Sequence, residues 1–387
     1  MRFSMSSKRN VVMLGLLLLG FICWLPGSAM ARVSGQCADC HTMHNSQDGA
    51  SVVEGGPLRA LTKGDCIGCH TGTNTQGHNI PYVDDKTGTP SYGDFGIDGD
   101  TLAGGSFYWM RSGGAGAADA FGHNVLGIKS SDAAITPVNT PPGFALAFNA
   151  NGQIGSAWSS NQLTCAGTYG CHGDHGAVGD EDDFHAISGA HHADDVPLDP
   201  SDANPGLSFR FLKGIDGKED PEWEFTPTTT AHNQYKGIDR TDDNAADTST
   251  ISYLCAECHG MFHSGAGTDG ADGDGAFGSP WLRHPTDFDI GHATGTEYAS
   301  YPGDFGASVG EYSIVAPVAS ANVSAVLSSV AVTKPGDDTA IVTCISCHRA
   351  HGTPYADLLR WDYANCNVGD TGDDCGCFAC HTTKDGD

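Results

Sequence analysis

The chain has 387 residues, 47 acidic and 19 basic, a formal net charge of −28, with 15 cysteines, 53 glycines and 18 prolines. The sign of the charge excludes a basic nucleic-acid binder, and a single long apolar run excludes a polytopic membrane protein. Past residue 31, Leu, Ile, Val and Phe make up only about 17% of the chain, too few side chains to fill a conventional core.

Residues 1–31 read as an address. Arg2, Lys8 and Arg9 form a positive start, residues 11–25 an apolar stretch, and Ala29-Met30-Ala31 a small-x-small cleavage site. This is the pattern of a secretory signal peptide, too short to span a membrane stably. Cys23 lies inside it, and Ile22 before it argues against a lipoprotein site. Residues 32–387 are then expected to form a single exported domain with no membrane span. Their charge is −31, from 16 basic and 47 acidic residues. Export takes the remaining cysteines out of the reducing cytosol.

Those cysteines are ordered. Five stretches read C-x-x-C-H: Cys37, Cys40 and His41; Cys66, Cys69 and His70; Cys255, Cys258 and His259; Cys344, Cys347 and His348; Cys377, Cys380 and His381. The pattern is that of c-type haem attachment. Two thiols three residues apart meet the two vinyl groups of one haem, and the adjacent imidazole reaches the iron. A disulfide framework has no need of a His after each second Cys. Neither has a zinc ribbon or an iron–sulfur cluster. A sixth stretch, Cys165 to His172, reads C-x5-C-H with Cys171 as its second thiol. Its two glycines let the longer loop bulge, so six covalent haems c are expected, five at regular sites and one at an irregular one. Cys366 and Cys375 remain, and the simplest reading is a local disulfide.

The histidines outnumber the methionines as second ligands. Eighteen His leave twelve after the six motif positions, whereas only Met43, Met110 and Met261 lie beyond the leader. Bis-His, low-spin irons are therefore expected, with lower potentials than His/Met ligation gives. Such irons pass electrons without offering a substrate position. His44, His175 and His351 lie three residues after a motif His, and His263 lies four after. Those offsets put both imidazoles on one face of a turn, so the second is expected to serve a neighbouring haem. His284 in Trp281-Leu282-Arg283-His284-Pro285, and His78 and His123 in Gly-His-Asn contexts, complete the expected distal ligands. His191 and His192 are adjacent, so at most one is a ligand. His185, His232 and His292 carry no further signal.

The six sites begin at residues 37, 66, 165, 255, 344 and 377, with no repeat of fixed period. The expected fold is a mostly irregular multihaem cytochrome c. Short helical turns should sit at the C-x-x-C-H sites, with a few short strands, all organised around a row of haems. Buried haem faces would supply the apolar area that the side chains lack. Residues 330–342 read as a hairpin, 207–212 as a short strand, and 269–275 as a solvated acidic loop rather than a calcium loop.

The stretches Cys37-Ala-Asp-Cys-His-Thr-Met-His-Asn-Ser46, Gly122-His-Asn124, Cys255-Ala-Glu-Cys-His259, Leu282-Arg-His-Pro285, Cys344-Ile-Ser-Cys-His-Arg-Ala-His351 and Cys377 to His381 carry a family likeness. The chain resembles the extracellular hexahaem c-type cytochromes of metal-reducing bacteria, the OmcS-like group. The resemblance implies a loop-rich fold with close-packed haems along one axis. It also implies that His44 crosses to a haem of the next subunit, so that the chain forms a homopolymer. The irregular site at Cys165 departs from the family pattern, and the acidic charge opposes self-assembly.

The expected function is electron transfer without catalysis, outside the cell or on its outer surface, and alternatively in the periplasm. Other cytochromes would be the donors, and a metal oxide or similar extracellular material the acceptor. Two alternatives are a multihaem reductase with one open iron, acting on nitrite or a related oxyanion, and a discrete carrier that never polymerises.

Overall fold

The computed structural model describes residues 36–382 with interruptions, the longest at 145–157, 188–210 and 264–283. The proposed leader and the 269–275 loop lie outside the described residues. So do most of the expected strand at 207–212 and the spare histidines His185, His191 and His192. Among the described residues, no helix is long and apolar enough to cross a membrane.

Helices are confined to single turns and one longer element. α1 (Cys37–Cys40) and α2 (Cys66–Cys69) each hold one attachment pair. α3 is Tyr108–Ser112, α4 is Ile251–His259 and α5 is Cys344–Cys347. Their starts are set by local chemistry. Gln36 and Asp39 form a reciprocal capping box on α1, and Thr343 and Ser346 another on α5, while the Asp65 side chain accepts from the Cys66 amide on α2. α4 is longer because tertiary packing supports it: Ile251, Tyr253, Leu254 and Ala256 are buried, and the Thr250 hydroxyl caps the Tyr253 amide.

The strands are two residues long and form three antiparallel ladders. β1 (Ser46–Gln47) pairs with β2 (Ala50–Ser51), with Ser46 opposite Ser51. Asp48 (φ 53°) and Gly49 (φ 79°) make the turn between them, the dihedrals that a two-residue hairpin of matching twist requires. β3 (Gly217–Lys218) pairs with β4 (Gln234–Tyr235). β5 (Phe288–Asp289) pairs with β6 (Ile341–Val342), with Phe288 opposite Val342.

This last ladder corrects the expected hairpin at 330–342. Ile341 and Val342 do form a strand, but their partner is the distant β5. Ile341 is fully buried and also bridges Ala319, so burial on both sides outweighs the local turn. At 207–212, the described residues Phe211 and Leu212 lie in a turn.

The apolar side chains gather into separate clusters rather than one core. One contains Ile290, Tyr301, Tyr312 and Val342, with Cys380 against it. Another holds Phe107, Met110, Val125 and Ile128, with Ile67 and Cys165 against it. A third joins Trp361 and Phe378 to Cys347 and Cys377. A fourth unites Ile251 and Leu254 of α4 with Tyr235 and Ile341. Three of the four clusters touch attachment cysteines. The disulfide forms between Cys366 and Cys375, with Cα atoms 5.0 Å apart. The fold is the loop-rich one expected, with its apolar surface turned toward the cysteine sites.

Because Ile341 is fully buried in the α4 cluster, Ile341→Ala should cost about 2–5 kcal/mol. Chemical denaturation of the fully loaded protein should show a lower midpoint with an unchanged slope.

Candidate functional site

The attachment turns separate thiols from imidazole by backbone geometry. In α1 and α5 the amides of His41 and His348 still bond the carbonyls of Cys37 and Cys344, but their own dihedrals are extended (φ −118°, ψ 154° and φ −114°, ψ 161°). The turn therefore holds both sulfurs while the His leaves on a different direction. The irregular site reaches a similar end without a helix. The His172 amide bonds the Cys165 carbonyl and the Gly170 amide bonds the Gly167 carbonyl. Gly167 has φ +85°, and a Cβ on Gly170 would lie 2.5 Å from the Ala166 amide nitrogen. Both glycines are needed for the bulge.

Five of the six motif histidines share a second feature. His70 Nδ1 lies 2.7 Å from the Pro81 carbonyl, His259 Nδ1 2.7 Å from that of Pro142, and His348 Nδ1 2.7 Å from that of Asp357. His172 bonds the Phe211 carbonyl. His381 differs: its Nδ1 lies 2.8 Å from the Glu297 carboxylate. When Nδ1–H donates to oxygen, the tautomer is fixed and Nε2 keeps its lone pair for a metal. Two spare histidines are held the same way, His78 by the Thr75 carbonyl and His123 by the Ala350 carbonyl. Among the described residues the buried His78 Nε2 has no hydrogen-bond partner.

Three imidazole pairs then stand near each other, with ring planes inclined by 40°, 43° and 89°. Ring centroids are 6.0 Å apart for His123 and His259, 6.3 Å for His172 and His351, and 6.2 Å for His284 and His381. Two imidazoles on opposite sides of one iron, each with a bond of about 2 Å, have centroids about 6 Å apart. Each pair combines one motif His with one spare His. Around His284 and His381 lies an apolar cleft lined by Cys377, Cys380, Cys347, Trp361 and Phe288. It is an apolar slot bounded by thiols and two facing imidazoles, and these residues fit a covalently attached haem.

The sites adjoin in chain order. The thiols of Cys40 and Cys69 share a hydrogen bond, as do those of Cys255 and Cys344. His70 and His172, Cys171 and Cys258, and Cys347 and Cys377 are near enough to perturb one another electrostatically.

Burial holds these imidazoles neutral, the form that ligates iron. It lowers His172 to about 4, helped by nearby His70 and His175. It lowers His259 to about 4, helped by His123, and His351 to about 3, helped by His172 and His123. Burial also lowers His70, His123 and His348.

The other histidines, including the expected ligands His175, His263 and His44, are placed differently. His175 Nδ1 meets Glu257 at 2.7 Å and its Nε2 meets the Cys171 carbonyl at 3.1 Å, so both nitrogens are engaged. Burial pulls its pKa down, but Glu257 prevails and the net shift is upward. His263 Nε2 bonds buried Asp287 at 2.9 Å. His232 lies between the carbonyls of Asn233 and Leu327, stacked on Tyr312 at 3.5 Å. His44 is exposed beside Met43, on a loop anchored by Asn45, whose side chain bonds Ser51 and both backbone groups of Val53. Among the described residues no second imidazole stands opposite His348.

The oxygens that orient the motif histidines carried no signal in the sequence. Pro81, Pro142, Asp357 and Glu297 lie 11, 117, 9 and 84 residues from the imidazoles they hold. Three act through backbone carbonyls, which any residue possesses.

No protein-family model matches the chain. In sequence it is similar to the C-type cytochrome OmcS of Geobacter sulfurreducens, with 23% identity over 370 residues, covering 85% of this chain and 79% of that protein. Among solved structures it is similar to the Outer Membrane Cytochrome S filament from the same organism, with TM-score 0.43 and 18% identity over 88% of each chain. It is also similar to the OmcS nanowires of that organism, with TM-score 0.41 and 16% identity over 92% of this chain and 93% of that one.

The depressed histidines give a pH dependence. Unfolded imidazoles take up protons near pH 6.5, while buried His172 and His259 resist until about pH 4. The unfolded state therefore binds more protons in that window, and stability falls as pH drops through it. Thermal denaturation midpoints should be level above about pH 7 and decline between about 6.5 and 4, beginning while carboxylates are still ionised.

Proposed function

We propose that the chain is an exported multihaem c-type cytochrome that conducts electrons and carries out no bond chemistry on a substrate. The observation that carries this reading is the three imidazole pairs at 6.0–6.3 Å, each joining a thiol-flanked motif His to a spare His. Bound haem iron supplies one-electron chemistry between its ferric and ferrous forms. The protein supplies the rest. Twelve cysteines at six sites fix position: Cys37, Cys40, Cys66, Cys69, Cys165, Cys171, Cys255, Cys258, Cys344, Cys347, Cys377 and Cys380. His41, His70, His172, His259, His348 and His381 would each hold the iron of the adjoining thiols' haem. His284, His123 and His351 would supply the second imidazole to the sites at His381, His259 and His172. Apolar walls exclude water, and contiguity of the sites in chain order supports stepwise transfer from one to the next.

The reading extends to assembly. OmcS, to which the chain is similar, is the subject of filament and nanowire structures. Here His44 is exposed on an anchored loop, while the site at His348 has no second imidazole opposite it among the described residues. Both features support His44 of one copy completing the His348 site of the next. The products would be extracellular homopolymers, fed by other cytochromes and discharging to an acceptor such as a metal oxide. The 32–387 segment would act as one domain threaded along the haem row. The high negative charge makes salt favourable to polymerisation, because it screens repulsion beyond about 8 Å. A second reading rests on the same His348 position: if it stays open, the protein is a reductase.

Intact mass and haem staining of the secreted protein should give six covalent haems per chain; fewer than five would sink the reading. Electron microscopy of the wild type should show filaments. His44→Ala should abolish them and convert one of six haems to high spin, read by electron paramagnetic resonance. Wild-type protein that stays monomeric at every concentration and salt, with one iron that binds cyanide, would establish the reductase instead.

A further inference from the structure

The six attachment sites are not electrostatically equal. At His70, His172, His259 and His348 the imidazole is oriented by a neutral backbone carbonyl. At His381 the acceptor is a carboxylate. Nδ1 and Glu297 Oε1 are 2.8 Å apart, with the two side chains only 18% and 19% exposed. Other histidines also touch carboxylates, His175 with Glu257 and His263 with Asp287, but neither follows an attachment cysteine.

The Glu297–His381 contact is built from several directions. The Thr382 amide donates to the Glu297 backbone carbonyl at 2.9 Å, and the Thr382 hydroxyl donates to the same oxygen. The Tyr298 phenol also donates to the Glu297 carboxylate, and its ring packs 5.0 Å from that of His381. Main chain and side chain of Glu297 are thus both tied to the residue pair that ends the last motif. On the far side of His381 stands His284, at 6.2 Å between centroids.

We propose that Glu297 is a positioning residue that gives His381 anionic character and lowers the reduction potential of the haem at Cys377 and Cys380 relative to the sites held by carbonyls. The inference rests on the multihaem reading above. Its physics is direct. A carboxylate accepting from the far nitrogen of an axial imidazole raises the basicity of the ligating nitrogen. A more basic ligand and a nearby negative charge favour ferric over ferrous iron. The partly dry setting leaves that interaction less screened than it would be in water. Electrons arriving at this end of the row therefore meet a step in potential, not a level path, and the C-terminal site is an injecting end rather than a sink.

The test is Glu297→Gln, which keeps an oxygen acceptor and removes the charge. Its control is Glu311→Gln, which removes one charge from a carboxylate that accepts from the Ser308 amide and touches no motif histidine. Both are followed by spectropotentiometric titration of secreted, haem-loaded protein. In E297Q one of the six components should rise by about tenfold in its one-electron equilibrium constant, about 59 mV, while the other five stay in place. No shifted component, or the same shift in E311Q, overturns the proposal. If E297Q loads poorly, near-infrared magnetic circular dichroism of the wild type decides: one charge-transfer band of histidinate type supports the proposal and its absence overturns it. Haem content separates the two claims. A chain without covalent haem defeats the multihaem reading itself, whereas six haems with no distinct sixth component defeat only the role of Glu297.

Discussion

The structure turns on a hydrogen bond that points away from the chemistry. Nδ1–H of one imidazole after another donates to an oxygen: Pro81 for His70, Pro142 for His259, Asp357 for His348, Ala350 for His123. Each bond fixes a tautomer and a ring direction, and thereby decides where Nε2 aims. Both rings of the His123–His259 pair are held this way, and His381 is held by an oxygen in the pair it forms with His284. Without those oxygens the imidazoles would be free to turn about χ2, and neutral histidines buried next to one another would have no reason to face across a gap the width of a metal site.

That constraint explains the scarcity of regular structure. An acceptor carbonyl must be directed at an imidazole, and inside a helix or a sheet ladder its direction is already set by the element. Loops deliver such carbonyls in any direction, and turns at positive φ, such as Asp357 (φ 59°), aim them where repetitive structure would not. The short ladders and single-turn helices survive where they hold a site in place. β5 and β6 bring residues 288–289 beside the α5 motif, and the longest helix, α4, ends on its own attachment pair. The apolar clusters follow the same logic. They are small and separate, and most press on attachment cysteines, so apolar cofactor faces are needed to join them.

Contacts between sites complete the picture. Thiols of consecutive motifs touch at Cys40 with Cys69 and at Cys255 with Cys344, and His351 leaves the α5 motif to stand opposite His172 of an earlier one. His351 thus ties two sites together, coupling the integrity of one to the position of the other. Along such a row the carbonyl-held sites form a series of like members, and the carboxylate at Glu297 marks one end as different.

The sequence by itself determined how thiols and imidazoles are grouped, because that grouping is local. C-x-x-C-H places two thiols and an imidazole within one turn, and the glycines of the irregular site are read from five intervening residues. Loop-rich architecture was legible too, from a shortage of aliphatic side chains. Only the tertiary structure decided which imidazoles face each other. His351 and His175 occupy the same offset from a motif His, yet one stands opposite His172 while Glu257 and the Cys171 carbonyl engage both nitrogens of the other. The partner of β6 was likewise set at long range, 53 residues away, by burial of Ile341. The pairing of imidazoles and the oxygens that hold them depend on where the chain passes in space, and a backbone carbonyl leaves no trace in the identity of the residue that carries it.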